Sequence, residues 1–218
     1  MICVSFGKSV YPELIRQLEQ EHLAEIRIDL NNFSNDELSA LFSSHPRLIA
    51  ACRPGVFTEP ERIRKLKTAV VSGAAFTDIE YDSDKSSVDE ILGLCTLNPS
   101  SLIISYHNYK LTPSSSELDE LYEKLSEMGA DIVKIACTVS SAADNSRIMA
   151  LYDRTRNSGK PDLIAFGMGE KGRITRVAAP FLGAPFTYAS VPGGSGTAEG
   201  QMDRSKLEKI YKLIKNEE

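Results

Sequence analysis

A lysine inside an apolar run is the first residue of this chain that calls for a chemical explanation. Lys134 lies in Asp-Ile-Val-Lys-Ile-Ala-Cys-Thr, among β-branched and small side chains that read as a buried strand. Burial disfavours the charged form of an amine, and a neutral amine is the species that attacks a ketone to form an imine. The alternative is a lysine that reaches solvent along its stem or pairs with an acid such as Asp131. His107 ends the run Ser-Leu-Ile-Ile-Ser-Tyr-His, just before the turn residues Leu111-Thr112-Pro113. An imidazole titrates near neutral pH, which suits a base that later returns its proton as an acid. A hydrogen-bonded core histidine is the other reading. His22 near a helix end and His45 in a polar turn lack this placement at a strand terminus.

The elements that would position these groups follow from apolar runs alternating with helical periodicity. Strands are expected at Ile2–Phe6, Ala24–Leu30, Arg47–Arg53, Phe76–Asp82, Leu102–Asn108, Asp131–Thr138, Asp162–Met168 and Phe186–Val191. Helical patterns fall at Tyr11–Glu21, Asn35–Phe42, Glu59–Ser72, Ser116–Met128, Ala142–Asn157, Arg173–Leu182 and Gly200–Asn216, and the crossover after Asp82 has the weakest pattern. Strands that are apolar on both faces belong in a parallel sheet covered by helices. Eight β-then-α units point to a (β/α)₈ barrel occupying residues 1–218 as one domain, with a doubly wound sheet as the alternative. Polar residues collect where the strands end: Glu25, Arg27, Asp29, Arg53, Glu80, His107 and Lys134, with Met168 beside them. Alternation along a strand puts Glu25, Arg27 and Asp29 on one face, and Lys134 with Ile132 and Ala136 on another. If those faces point inward, the polar groups share one pocket.

Composition removes several classes of function. With 25 Lys+Arg against 30 Asp+Glu, the chain has no basic field for nucleic acid or anionic lipid. No apolar run is long enough to span a membrane, and the start, Met-Ile-Cys-Val-Ser-Phe-Gly-Lys, lacks the pattern of a signal peptide, so a cytoplasmic chain is expected. Cys3, Cys52, Cys95 and Cys137 are scattered without metal or redox spacing, and no histidine or acid cluster suggests a metal. Gly167-Met168-Gly169-Glu170-Lys171-Gly172 matches a dinucleotide fingerprint in outline. The acid that should follow about 20 residues later is missing, so these glycines are read as a tight loop at the barrel mouth.

The segments SYHNYKLTPS, DIVKIACT, GRITRVAAPFLGAPFTYAS and SGTAEGQM, in this order, resemble the type I 3-dehydroquinate dehydratase family. EIRIDL is similar to the family's E-x-R-x-D strand and AACRPG to its arginine-bearing strand. The resemblance implies a (β/α)₈ barrel that removes water from 3-dehydroquinate through a lysine imine, without metal or organic cofactor, as a homodimer. It implies that Lys134 forms the imine and His107 transfers protons. It further implies that Arg176 pairs with the substrate carboxylate, that Glu25, Arg27 and Arg53 bind in the pocket, that Thr197 and Gln201 belong to a late closing loop, and that Met168 is a pocket wall. Many relatives carry a glutamate that orients the histidine where this chain has Phe57, leaving Glu59 and Glu80 as candidates to replace it. Two further readings stay open: a class I aldolase using Gly193-Gly194-Ser195-Gly196 for a phosphosugar, and a barrel that binds a shikimate-pathway metabolite without turnover.

Overall fold

A computed structural model describes residues 1–155, 161–194 and 196–216. The helix expected to end at Asn157 and the glycine-rich stretch containing Ser195 therefore run partly outside the described residues. In chain order the elements are β1 (Ile2–Phe6), α1 (Tyr11–Leu18), β2 (Ala24–Arg27), α2 (Asn35–Ser44), β3 (Leu48–Ala51), α3 (Glu59–Val71), β4 (Phe76–Glu80), α4 (Lys85–Leu97) and β5 (Ser101–Asn108). They continue as α5 (Ser115–Glu127), β6 (Ile132–Thr138), α6 (Ala142–Thr155), β7 (Asp162–Met168), α7 (Arg173–Leu182), β8 (Thr187–Ser190), β9 (Met202–Asp203) and α8 (Arg204–Lys215). The strands form one parallel curled sheet in the order β7-β6-β5-β4-β3-β2-β1-β8-β9, a (β/α)₈ barrel with one short extra strand.

Local chemistry accounts for the helix starts. Ser34 with Glu37, Thr58 with Glu61 and Ser114 with Glu117 form reciprocal capping boxes that satisfy backbone donors at the first turns of α2, α3 and α5. The crossover after Asp82 proves to be the full helix α4, with Val88, Ile91 and Cys95 buried on one face. Gly93 and the Ser86-Ser87 pair dilute its helical propensity, and packing of the apolar stripe overrides that. The second strand is shorter than expected, because the chain turns into a 3₁₀ segment at Ile28–Leu30. Asp29 consequently leaves the strand face and turns to grip the Arg27 guanidinium.

Closure between β7 and β8 is made largely by side chains. Among the described residues no backbone ladder joins these strands; the Phe166 and Tyr188 rings meet edge-on at 5.9 Å across the seam. The free backbone groups of β7 find other partners: Tyr152 Oη accepts from Ala165 N at 2.7 Å, Thr175 Oγ1 accepts from Gly167 N at 2.6 Å, and Arg176 Nε donates to Gly167 O at 3.2 Å. At the barrel mouth Gly169 N donates to Glu199 O at 3.3 Å, which brings the segment carrying β9 over the seam. Gly200 has φ +78°, and a Cβ there would lie 2.3 Å from Gly169 O, so this junction requires glycine. The Gly167–Gly172 loop is equally tight: a Cβ on Gly172 would meet Gly167 C at 2.5 Å. That close packing explains the glycine spacing without a nucleotide.

Candidate active site

The C-terminal strand ends surround a cavity of about 240 Å³ lined by Glu25, Arg27, Arg53, His107, Lys134, Met168, Arg176, Thr197 and Gln201, together with Tyr109, Phe166, Tyr188 and Glu199. Nine of these residues are those expected from the sequence. The register sets their depth: Ser105 is level with Lys134 and His107 with Ala136, so His107 stands beside Lys134 and one inward-facing step nearer the mouth.

Lys134 is 3% exposed and has partners, though Asp131 is not among them. Asp131 Oδ2 instead accepts from Leu102 N at 2.7 Å. Lys134 Nζ donates to Asp78 Oδ2 at 2.8 Å, stands 3.5 Å from Glu25 Oε1, and lies over the Tyr188 ring at 4.3 Å from its centroid. Asp78 is the hub of this floor. Arg53 grips it through two guanidinium nitrogens at 2.9 and 3.0 Å, and Ser105 Oγ donates to it at 2.6 Å. Burial alone would raise the Asp78 carboxyl, but the Arg53 and Lys134 charges beside it reverse the effect and hold it far below the usual carboxylate range.

His107 Nδ1 lies 2.8 Å from Glu80 Oε1. At this distance the carboxylate acts on the imidazole as a close charge. Burial and the neighbouring Arg53 lower the His107 pKa below its ordinary value, and Glu80 opposes them. Glu80 is in turn fixed by Arg53 Nη1 at 2.9 Å. Of the two acids considered, Glu59 is elsewhere: it is bound by Arg62 at 2.7 and 2.8 Å on α3, and Arg62 also donates to Cys52 O at 3.1 Å. Phe57 packs against the core under the Lys65 ammonium, 4.8 Å from the ring centroid.

Arg53 lines the cavity, but Asp78, Glu80 and Ser105 occupy its donors, which makes it a scaffold for the acids. Arg176 is the contrast. The residue is 1% exposed, and its guanidinium meets only the carbonyls of Gly167 and, at 3.5 Å, Glu199, with the Phe166 ring centroid at 4.1 Å. Among the described residues it has no carboxylate partner, and burial lowers its pKa to about 10. Only the Glu25 charge, beyond contact distance, opposes that effect, and a buried cation that faces a cavity with no carboxylate in contact can receive an anion there. Arg27 is held in bidentate fashion by Asp29 at 3.0 and 2.6 Å and reaches Thr197 O at 3.3 Å. Thr197 Oγ1 lies 2.7 Å from Ser5 Oγ, which donates to Glu25, while Gln201 Oε1 accepts from Thr197 N at 2.8 Å. The late loop is thereby tied to the strand ends.

Asp78 and Tyr188 escaped the reading of the sequence. Strand alternation carries a signal for Asp78, since it shares a face with Glu80, but it sits in mid-strand rather than at the end. Tyr188 in Phe-Thr-Tyr-Ala-Ser reads as ordinary core.

Fold and site define the class: a (β/α)₈-barrel enzyme whose cavity gathers an amine, an imidazole and an unpaired guanidinium at the C-terminal strand ends. The family model described as type I 3-dehydroquinase matches residues 2–218. A 3-dehydroquinate dehydratase of Dehalococcoides mccartyi is 33% identical over 220 residues, covering 98% of this chain and 95% of that protein. One from Methanococcus maripaludis is 37% identical over 206 residues, covering 90% of each. The solved 3-dehydroquinate dehydratase of Geobacillus kaustophilus superposes with a TM-score of 0.86 at 21% identity, covering 99% of this chain and 91% of that one. The chain belongs to the type I 3-dehydroquinase family.

Proposed function

We propose that this chain is a 3-dehydroquinate dehydratase that works through an imine on Lys134. The observation that carries the reading is the pairing of a fully buried amine with an imidazole one step above it on the adjacent strand. The neutral Lys134 amine adds to the ring ketone of 3-dehydroquinate; the carbinolamine hydroxyl takes up a proton relayed by His107 and leaves as water, so the C–O bond breaks and a protonated imine remains. That imine is a stronger electron sink than the ketone, so the adjacent carbon becomes acidic enough for His107 to take its proton. The resulting enamine expels the hydroxyl from the next carbon, and the proton held by His107 leaves with it as water. Hydrolysis of the imine then frees 3-dehydroshikimate and the amine. A lowered His107 pKa keeps the imidazole neutral near pH 7, as a base requires.

In this reading Arg176 receives the substrate carboxylate, Glu25 and Arg27 hold ring hydroxyls, and Met168 and Phe166 form the apolar wall. Thr197 and Gln201 close the mouth, and Glu80 positions His107. No organic cofactor or metal enters the scheme, because the imine itself supplies the electrophile. Family resemblance supports one domain acting as a homodimer in the cytoplasm, in the shikimate pathway; no helix among the described residues is long and apolar enough to cross a membrane. Adding 3-dehydroquinate and following the absorbance of the conjugated enone product tests the activity: a steady rise is expected. Binding without that rise would favour a metabolite-binding barrel instead.

A further inference from the structure

Three features surround the Lys134 nitrogen: the Asp78 carboxylate at 2.8 Å, the Glu25 carboxylate at 3.5 Å and the face of the Tyr188 ring at 4.3 Å. Tyr188 is 3% exposed, and its hydroxyl has no hydrogen-bond partner among the described residues, although buried tyrosines usually find one. What this side chain offers its neighbour is therefore its π-face. The ring is held in place by edge contacts with Phe166 at 5.9 Å and 61° and with Phe186 at 5.5 Å and 71°.

We propose that Tyr188 is a catalytic residue, whose ring face stabilises the cationic nitrogen of the imine formed on Lys134. The proposal rests on the reading that Lys134 forms an imine with the substrate. Hydrogen-bond counting shows why an aromatic face suits this position. A lysine ammonium carries three N–H groups and can satisfy Asp78 and Glu25 together, whereas a protonated imine keeps only one. The amine that attacks the ketone is neutral, and the imine nitrogen it becomes is cationic with a single N–H, which can reach only one of the two carboxylates. The attraction of a cation to a ring quadrupole depends on the charge and not on the number of N–H groups, so it acts on the protonated imine and is absent from the neutral amine that precedes it. Because Lys134 and Tyr188 are both buried, that attraction is stronger than it would be at a surface. Burial and the nearby Glu25, Cys3 and Asp78 raise the Tyr188 pKa well above its ordinary value, so the phenol stays neutral.

The test replaces Tyr188 by phenylalanine and then by phenylalanines bearing increasing numbers of ring fluorines, which drain the negative π-face while nearly preserving shape. Two rates are read on each protein: turnover of 3-dehydroquinate, and the amount of reduced adduct left on Lys134 after borohydride treatment with substrate. Both are expected to fall stepwise with fluorination, by roughly tenfold across the series. Affinity for a substrate analogue lacking the ketone should stay level, which separates electronic from structural effects. A flat series, with adduct still formed by the wild type, would overturn the role of the ring alone. Absence of adduct in the wild type would overturn the imine reading beneath it.

Discussion

His107 Nδ1 and Glu80 Oε1 stand 2.8 Å apart across the neighbouring strands β5 and β4, and Arg53 touches the same carboxylate oxygen from the other side at 2.9 Å. The acid that governs the histidine thus comes from the adjacent strand end, while Phe57 packs against the core.

Replacing Glu80 by glutamine removes the charge that favours the imidazolium. In the free enzyme His107 must be neutral to act as a base, so activity is lost as pH falls through its pKa. Since that pKa is lowered by burial and Arg53, the acid limb of kcat/KM should lie below the ordinary histidine value of about 6.5. In Glu80→Gln the limb should move further to the acid side, with a lower plateau. A limb that moves toward alkaline pH would show that Glu80 does not act on His107 in this way.

Arg176→Leu separates binding from stability. The unliganded protein carries a buried guanidinium with no carboxylate in contact and only Glu25 at longer range, so the substitution should leave its melting temperature level or raise it. Substrate binding should weaken by roughly 2–5 kcal/mol, at least about 30-fold in KM, because the substrate carboxylate loses its partner. A large loss of melting temperature with an unchanged KM would assign Arg176 to the scaffold.

Asp78→Asn should do the reverse. It leaves Lys134 and Arg53 facing each other with less counter-charge, at a cost of about 3–5 kcal/mol, or roughly 6–20 °C in melting temperature. The Asp78 pKa is depressed in the folded state, so its carboxylate stabilises the fold above the unfolded value near 4, and that contribution fades as pH falls below it. Unfolding experiments at pH 7 and pH 3 should therefore show the gap between wild type and variant narrowing in acid.

Much of this site was legible in the sequence because strand periodicity is rigid. Once His107 and Lys134 are placed on strands, a two-residue repeat fixes which neighbours share their faces, while their relative depth comes from the strand register. The helix α4 was faint because Gly93 and two serines dilute a pattern that tertiary packing restores. The choice between Glu59 and Glu80 could not be made from spacing, since it depends on Arg62 capturing one and Arg53 the other. Asp78 was hidden for a related reason: a lone acid inside a strand gains meaning only when Lys134 and Arg53, from two other strands, converge on it.

Covalent trapping on Lys134 is the most direct test. The wild-type protein is treated with borohydride while turning over 3-dehydroquinate, then digested, and the peptide carrying Lys134 is weighed. Inactivation, together with the mass of the reduced adduct on that peptide, is expected; Lys134→Ala should show neither adduct nor turnover. His107→Ala should retain the amine and still form some adduct, while elimination slows by at least roughly 10²-fold. If 3-dehydroquinate is dehydrated at full rate while borohydride leaves no mass on Lys134, the lysine is not the nucleophile and the imine mechanism is wrong.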